Sequence, residues 1–321
     1  MACERTRASE DAARRRLAAA STAVAIALLI AATLAAAGCG LGPGEDVGAV
    51  ELRVTRDYGA STMLDAEVGD VTESDTVMRV LERNADVSTR YGGGFVQSVD
   101  GLEAQERFGR SEDWFFYVNG VESTVGAADY PLRGGESIWW DYHEWGEAMR
   151  VPAAVGSWPQ PFLDGYDGRR RPVALECLGG GAACGDAVAS LEREGVSVAL
   201  GHPDGAIRLL VGPWARVRED PAAAQVEDGP QASGVFAQPR RAPGGYALDG
   251  LDADGAVGRT FGRDAGLVAA VRRGEAPPVW LVTGTSEAGV EAAAGLLDAR
   301  HLRDRFAVAV EGGEEAPLPL R

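Results

Sequence analysis

A run of five strand-forming residues, Trp114-Phe115-Phe116-Tyr117-Val118, ends in Asn119-Gly120 and constrains the fold more than any other feature. Aromatic and β-branched side chains fit a pleated surface, and Asn-Gly supplies the two positive φ angles of a tight hairpin turn. Side chains alternate along a strand, so Trp114, Phe116 and Val118 share one face while Phe115 and Tyr117 share the other. Both faces are apolar, and the sheet that carries this run has to be covered twice. The segment Ser137 to Tyr142, S-I-W-W-D-Y, repeats the situation: Ile138, Trp140 and Tyr142 oppose Trp139 and Asp141.

The residues around these two segments predict the rest of a domain over 49–145. Val50 to Thr55 alternates strictly and reads as a half-buried strand, with a second strand around Thr62 to Val68. Ser74 or Asp75 is placed to cap a helix in which Val77, Val80 and Leu81 recur at helical spacing. Tyr91-Gly92-Gly93-Gly94 is a flexible corner before the alternating strand Phe95 to Val99 and the turn Asp100-Gly101. The fold class expected is α+β, an antiparallel sheet with one helix. One helix covers one face, so the large rings are either covered by loops and a second domain or left as an apolar platform.

Residues 146–171, marked by Trp158-Pro159-Gln160-Pro161 and Asp164-Gly165, read as a linker. Beyond it, over 172–321, predicted strands (172–177, 196–200, 207–211, 279–283, 306–310) alternate with predicted helices (186–194, 265–273, 287–299), and 246–251 with 257–261 form a hairpin. That texture predicts a layered α/β domain, and its role is open.

The beginning of the chain bears on location. Arg14-Arg15-Arg16 precedes an uncharged stretch from Leu17 to Ala37, followed by Gly38-Cys39. A basic region, an apolar core and small residues at a cleavage site make residues 1–38 a secretory signal. The residues before Cys39 resemble the lipobox of bacterial lipoproteins, which makes Cys39 the lipidation site and residues 39–48 a tether. An uncleaved signal anchor is the alternative. Either reading expects the chain outside the cytoplasm, lipid-anchored in the first case to the outer face of the cell membrane.

Chemistry-bearing patterns are sparse. With 31 basic against 48 acidic residues and a net charge of −17, the surface repels phosphate backbones, which excludes nucleic acid as a partner. Cys177 and Cys184, with six residues between them in an oxidising compartment, read as a disulfide; neither metal nor redox chemistry suits the spacing. Gly179-Gly180-Gly181 lacks dinucleotide spacing. Ser286, between a predicted strand and helix, is explained as a helix cap rather than a nucleophile, and Asp249, Asp252 and Asp254 have the wrong register for a calcium loop. Arg169-Arg170-Arg171 reads as a solvated basic run. No enzyme, cofactor or metal is expected.

Four blocks in order carry a family resemblance: Thr76-Val77-Met78; Tyr91 to Val96 through Asp100-Gly101; Trp114 to Gly120; and Gly135 to Tyr142. Together they resemble the transcobalamin C-terminal-domain-like family. In transcobalamin and intrinsic factor this domain closes over cobalamin held against a helical barrel, and nothing after Trp145 shows such a barrel. The resemblance implies a surface lipoprotein that binds a bulky ring-bearing ligand, a corrinoid such as cobalamin, in support of uptake by a membrane transporter. The unobstructed backbone of the Tyr91, Gly92, Gly93, Gly94 corner, the broad rings of Trp114 and Trp139 and the hydroxyls of Tyr117 and Tyr142 make these the ligand-binding candidates. The rival reading is a structural or adhesive module that binds protein or glycan.

Overall fold

The alternating residues at 50–55 do form a strand, and it becomes the hub of the first sheet. A computed structural model describes residues 44–321 apart from 108, 109, 200 and 202. The expected signal and Cys39 lie outside the described residues. Strand β1 (Asp46–Arg56) turns back into β2 (Ser61–Thr72), and helix α1 (Val77–Asn84) follows. Next come β3 (Val87–Arg90), β4 (Phe95–Val99), β5 (Leu102–Glu103), β6 (Gln105–Arg107), β7 (Arg110–Val118), β8 (Val121–Glu122) and β9 (Ser137–Glu144). The six-stranded sheet runs β2-β1-β9-β7-β6, with β8 hairpinned onto β7, and β3-β4-β5 make a small separate sheet. Asn119 (φ 54°) and Gly120 (φ 73°) make the expected turn. β9 lies parallel to β1, which the strand signals alone did not reveal.

The helix cap falls one residue later than expected. Thr76 caps α1, its Oγ1 accepting from Arg79 N at 3.3 Å. Asp75 instead takes the Thr72 N–H at 2.8 Å and the Arg83 guanidinium.

The expectation of an α+β domain followed by a layered α/β domain is overturned. The described chain is mostly strand, arranged in four sheets, with only three helices of eight or more residues. After β10 (Val173–Cys177), α2 (Ala183–Arg193), β11 (Val198–Ala199) and β12 (Ile207–Pro213), the chain builds the three-stranded sheet β13 (Ala237–Ala242), β14 (Gly245–Leu251) and β15 (Val257–Phe261). Then follow β16 (Gly266–Val271), β17 (Val279–Gly284), α3 (Glu287–Ala294), β18 (Ala307–Glu311) and β19 (Glu314–Leu318). The seven-stranded sheet has the order β11-β10-β12-β17-β16-β18-β19.

The decisive difference is β16, expected as the helix 265–273. Every residue from Gly266 to Val271 is buried, and the strand lies antiparallel to both β17 and β18. A short run that is apolar throughout has no period by which to tell a buried strand from a helix. Val268 and Ala270 face one core with Trp280, α2 and α3; Leu267, Ala269 and Val271 face the other with Leu248 and Phe261 of the three-stranded sheet and with Phe236 just before it. One face is therefore covered by sheet, which gives the sandwich character, and α2 and α3 cover only the opposite face.

Glu45–Arg321 packs as one compact unit. The stretch read as a linker has little regular structure yet is largely buried: Trp158 and Phe162 pack on Trp280, at 5.7 and 4.9 Å between ring centroids. No described helix is long and apolar enough to cross a membrane.

Candidate functional site

The two faces of the six-stranded sheet separate the candidate residues. On the inner face, Tyr117 and Trp139 are fully buried against Phe306, at 5.6 and 4.8 Å between centroids. Beside them His143 stacks between Tyr58 and Phe115, and its Nδ1 lies 2.7 Å from Asp141 Oδ1. Asp141 also accepts the N–H groups of Tyr58 (3.0 Å) and Gly59 (2.8 Å) and the Thr55 hydroxyl, while Thr55 Oγ1 accepts from Trp139 Nε1 at 2.7 Å. Arg53, only 1% exposed, meets Asp304, Ser137, Ser157 and the Gly156 carbonyl. This network fastens the first sheet to the second half of the chain, and no surface of Tyr117 or Trp139 is left for a ligand.

On the outer face, α1 and the small β3-β4-β5 sheet cover most of the apolar surface but leave a cleft. The corner at its mouth holds three successive residues at positive φ: Tyr91 (54°), Gly92 (75°) and Gly93 (96°). Nothing lies within 4 Å of a Cβ built on Gly92 or Gly93, so backbone conformation, not crowding, requires glycine there. Tyr91 projects into solvent, 87% exposed, with Phe95 6.4 Å away and 40% exposed. Phe95 and Asp113 divide the cleft into two compartments. The first, about 240 Å³, is floored by Trp114, Phe116 and Trp140, with Met78 of α1 and Gly94 at its edges. The second, about 430 Å³, lies beside Tyr91 and is mixed in character, lined by Arg90, Gln97, Gln105, Glu106 and Glu112 together with Phe95 and Trp145.

Each floor residue is held in place. Phe116 packs on Trp140 with ring centroids 5.0 Å apart, and Trp114 packs at a tilt against Tyr142 at 5.2 Å. Trp114 Nε1 donates to the Leu102 carbonyl at 3.1 Å, and the Tyr142 hydroxyl to the Glu103 carbonyl at 2.8 Å. Burial pushes the Tyr142 phenol up to about 12. In the wall, burial raises the Asp113 carboxyl, opposed by the Trp114 N–H at 2.7 Å. Burial also raises Glu122, opposed by Arg150, whose Nε lies 3.1 Å from each carboxylate oxygen.

Residues 74–144 match the family model described as a domain of unknown function, DUF4430. Among solved structures, haptocorrin in complex with Cbi is 20% identical, with a TM-score of 0.25, over 30% of this chain and 25% of that one. The chain thus spans about a quarter of haptocorrin's length. A candidate metal binding protein from Ruminococcus gnavus ATCC 29149 is 17% identical, with a TM-score of 0.24, over 30% of this chain and 97% of that one. No curated protein matches.

Of the residues expected to bind ligand, the structure brings Tyr91, Gly94 and Trp114 to the cleft and sets Gly92 and Gly93 at its corner. Tyr142 lies behind Trp114, and Tyr117 and Trp139 are on the other side of the sheet. Phe95, Phe116, Trp140 and Asp113 were missed. The alternation that groups Trp114 with Phe116, and Trp140 with Tyr142, was the signal that could have found two of them.

The second half holds the remaining expectations. Cys177 and Cys184 are joined by a disulfide with Cα atoms 5.9 Å apart. Ser286 caps α3 by accepting from Gly289 N at 3.2 Å and donates to Asp264 at 2.7 Å, whereas His301 sits by Glu315. Gly180 N points at the Glu287 carboxylate, 3.3 Å away, which fills the place an anion would take. Asp249 pairs with Arg240 and Asp254 with Arg110. Arg170 of the basic run pairs with Asp164 at 2.7 Å. Among the described residues no three His, Cys, Asp or Glu side chains group as metal ligands.

Proposed function

We propose that the chain is an exported, lipid-anchored surface protein whose cleft beside Phe95 binds a ring-bearing ligand, a corrinoid being the first candidate, in support of transporter-mediated uptake. The observation that carries the reading is the floor of Trp114, Phe116 and Trp140 open beside the exposed Tyr91 and Phe95. Packed aromatic surface next to a compartment that adds polar side chains is the usual make-up of a small-molecule site. The sequence blocks that resemble the transcobalamin C-terminal domain supply the corrinoid as candidate. The first compartment is smaller than most ligand pockets and the second is in the lower half of their range, so a ligand of that bulk lies across Phe95 with part of its surface in solvent. Anchoring through Cys39 keeps the cleft at the outer membrane face.

Calorimetric titration of the purified protein with cobinamide and cobalamin tests the proposal. Phe116→Ala should weaken whichever binds by about 1–2 kcal/mol through lost ring contact, with the circular dichroism spectrum unchanged. Absence of heat with every corrinoid, together with unchanged behaviour in Phe116→Ala, would reject the ligand and favour the adhesive reading, for which the exposed rings of Tyr91 and Phe95 are the supporting feature.

A further inference from the structure

The six-stranded sheet ends on one side in an open edge. At 12 residues β2 is the longest described strand; it pairs with β1 alone and lines neither compartment of the cleft. The other ends of the two large sheets are blunt: β6 has three residues, β11 has two, and β19 carries Pro317. The Glu51 N–H turns toward β9, donating to the Glu136 carbonyl at 3.0 Å. Val50, Leu52 and Val54 therefore turn toward β2, where they meet Val68, Ala66 and Leu64. The N–H and C=O groups of Asp65 and Glu67 are left pointing away from the sheet, free to bond another strand. Their exposed side chains edge a hollow of about 360 Å³ over Glu51 and Gly135. Glu67 lies directly opposite Glu51 in the register, like charge against like. Arg303 engages Glu51 and Asp65 at 2.8 Å each, and Glu67 has no ion pair among the described residues.

We infer that the edge of β2 receives an added strand from a partner protein, an extended segment in which basic side chains alternate with apolar ones. The outward backbone groups supply the ladder hydrogen bonds common to all strand addition, and the hollow supplies the selection. An Arg or Lys of the added strand beside Glu67 enters the hollow and relieves the opposition of Glu51 and Glu67. The partner residues between the basic ones fall on the opposite face, where Leu64 and Val68 are only partly buried and gain cover. Charge disfavours a second copy of this chain as the occupant. β2 carries Asp65, Glu67 and Asp70 with no basic residue, and antiparallel pairing about Ala66 sets Asp65 against Glu67 twice. The carboxylates that guard the edge against indiscriminate pairing thus choose the partner.

The experiment titrates the purified protein, labelled with ¹⁵N, with the peptide Thr-Val-Arg-Val-Arg-Val-Thr up to about 1 mM. Binding should shift the Asp65 and Glu67 amide resonances and slow their hydrogen exchange. Replacing both peptide arginines by glutamate should weaken binding at least about tenfold, and so should Glu67→Arg in the protein. N-methylating the arginine peptide along one edge or the other keeps its charge, and one of the two patterns should abolish binding. Full binding of both methylated forms would reduce the contact to charge attraction and overturn strand addition. Equal binding of the glutamate peptide would overturn the selection for a basic partner. No response of Asp65 and Glu67 to the arginine peptide would reject the added strand, and a concentration-dependent dimer abolished by Glu67→Arg would give the edge to a second copy instead.

Discussion

Trp139 and Trp140 are neighbours in the chain and differ in almost every physical respect. Trp139 faces inward among Tyr117, Phe306 and Arg53, and its indole N–H is used by Thr55. Trp140 faces outward with Phe116 toward the cleft, and its indole N–H has no acceptor among the described residues. The same alternation sorts the whole sheet. Inward lie Arg53, Thr55, Asp141 and His143 in a closed polar network; outward lie Leu52, Ile138 and Trp114 under a thin cover of helix and small sheet. The inner face is sealed by the second half of the chain and serves stability. The outer face is incompletely covered, and its spare aromatic surface is what a ligand can use.

Substitutions that act on one face and spare the other test this division, starting with the largest. Trp139→Ala removes a fully buried ring and should destabilise by about 3–5 kcal/mol in denaturant unfolding. Any fraction that remains folded should keep cleft binding; a specific loss of binding without loss of stability would erase the contrast. Asp141→Asn should cost about 2–3 kcal/mol, because a carboxylate with four donors becomes an amide that cannot accept from all of them.

Asp75 anchors the outer cover. Burial alone would raise its carboxyl, but the Thr72 N–H and Arg83 outweigh burial and hold it below the ordinary carboxylate range. A carboxyl depressed by folding stabilises fully above its unfolded value, near ~4, and that stabilisation disappears as pH falls through the folded value. Asp75→Asn should therefore cost about 1–2 kcal/mol at pH 7, and the gap from the parent should close in acid. A gap that persists undiminished below pH 3 would assign the loss to packing. The smallest effect belongs to Tyr117→Phe. The Tyr117 hydroxyl is buried without a partner among the described residues, and burial holds its ionisation well above the usual phenol range. Its removal should be neutral or stabilising by up to about 1 kcal/mol and leave binding untouched. A marked loss of affinity would return Tyr117 to the ligand site.

Much of the first half was legible because its signals are local. Asn119-Gly120, the helix face of Val77, Val80 and Leu81, and the alternation through Trp114–Val118 each depend on neighbours a few residues away. The second half was less so. Gly266–Val271 is apolar at every position, and its strand state comes from β17 and β18 on either side. The segment 237–242, with Gln238, Pro239, Arg240 and Arg241, carries no strand signal, and pairing to β14 makes it one. Trp158 and Phe162 sit in a proline-marked stretch that looks like a connector until Trp280 is placed beside it.

For the candidate site, the sequence by itself determined which side chains share a face, because strand alternation is a property of the backbone. It also marked the Tyr91–Gly94 stretch as a corner, because three successive glycines leave the backbone unobstructed. Only the tertiary structure decided which of the two faces is closed. That outcome depends on Phe306 and Asp304, roughly 250 positions beyond Arg53 in the chain, arriving against the inner face. Burial is a property of such distant contacts, and no local pattern around Trp139 or Trp140 encodes which of the two rings they will reach.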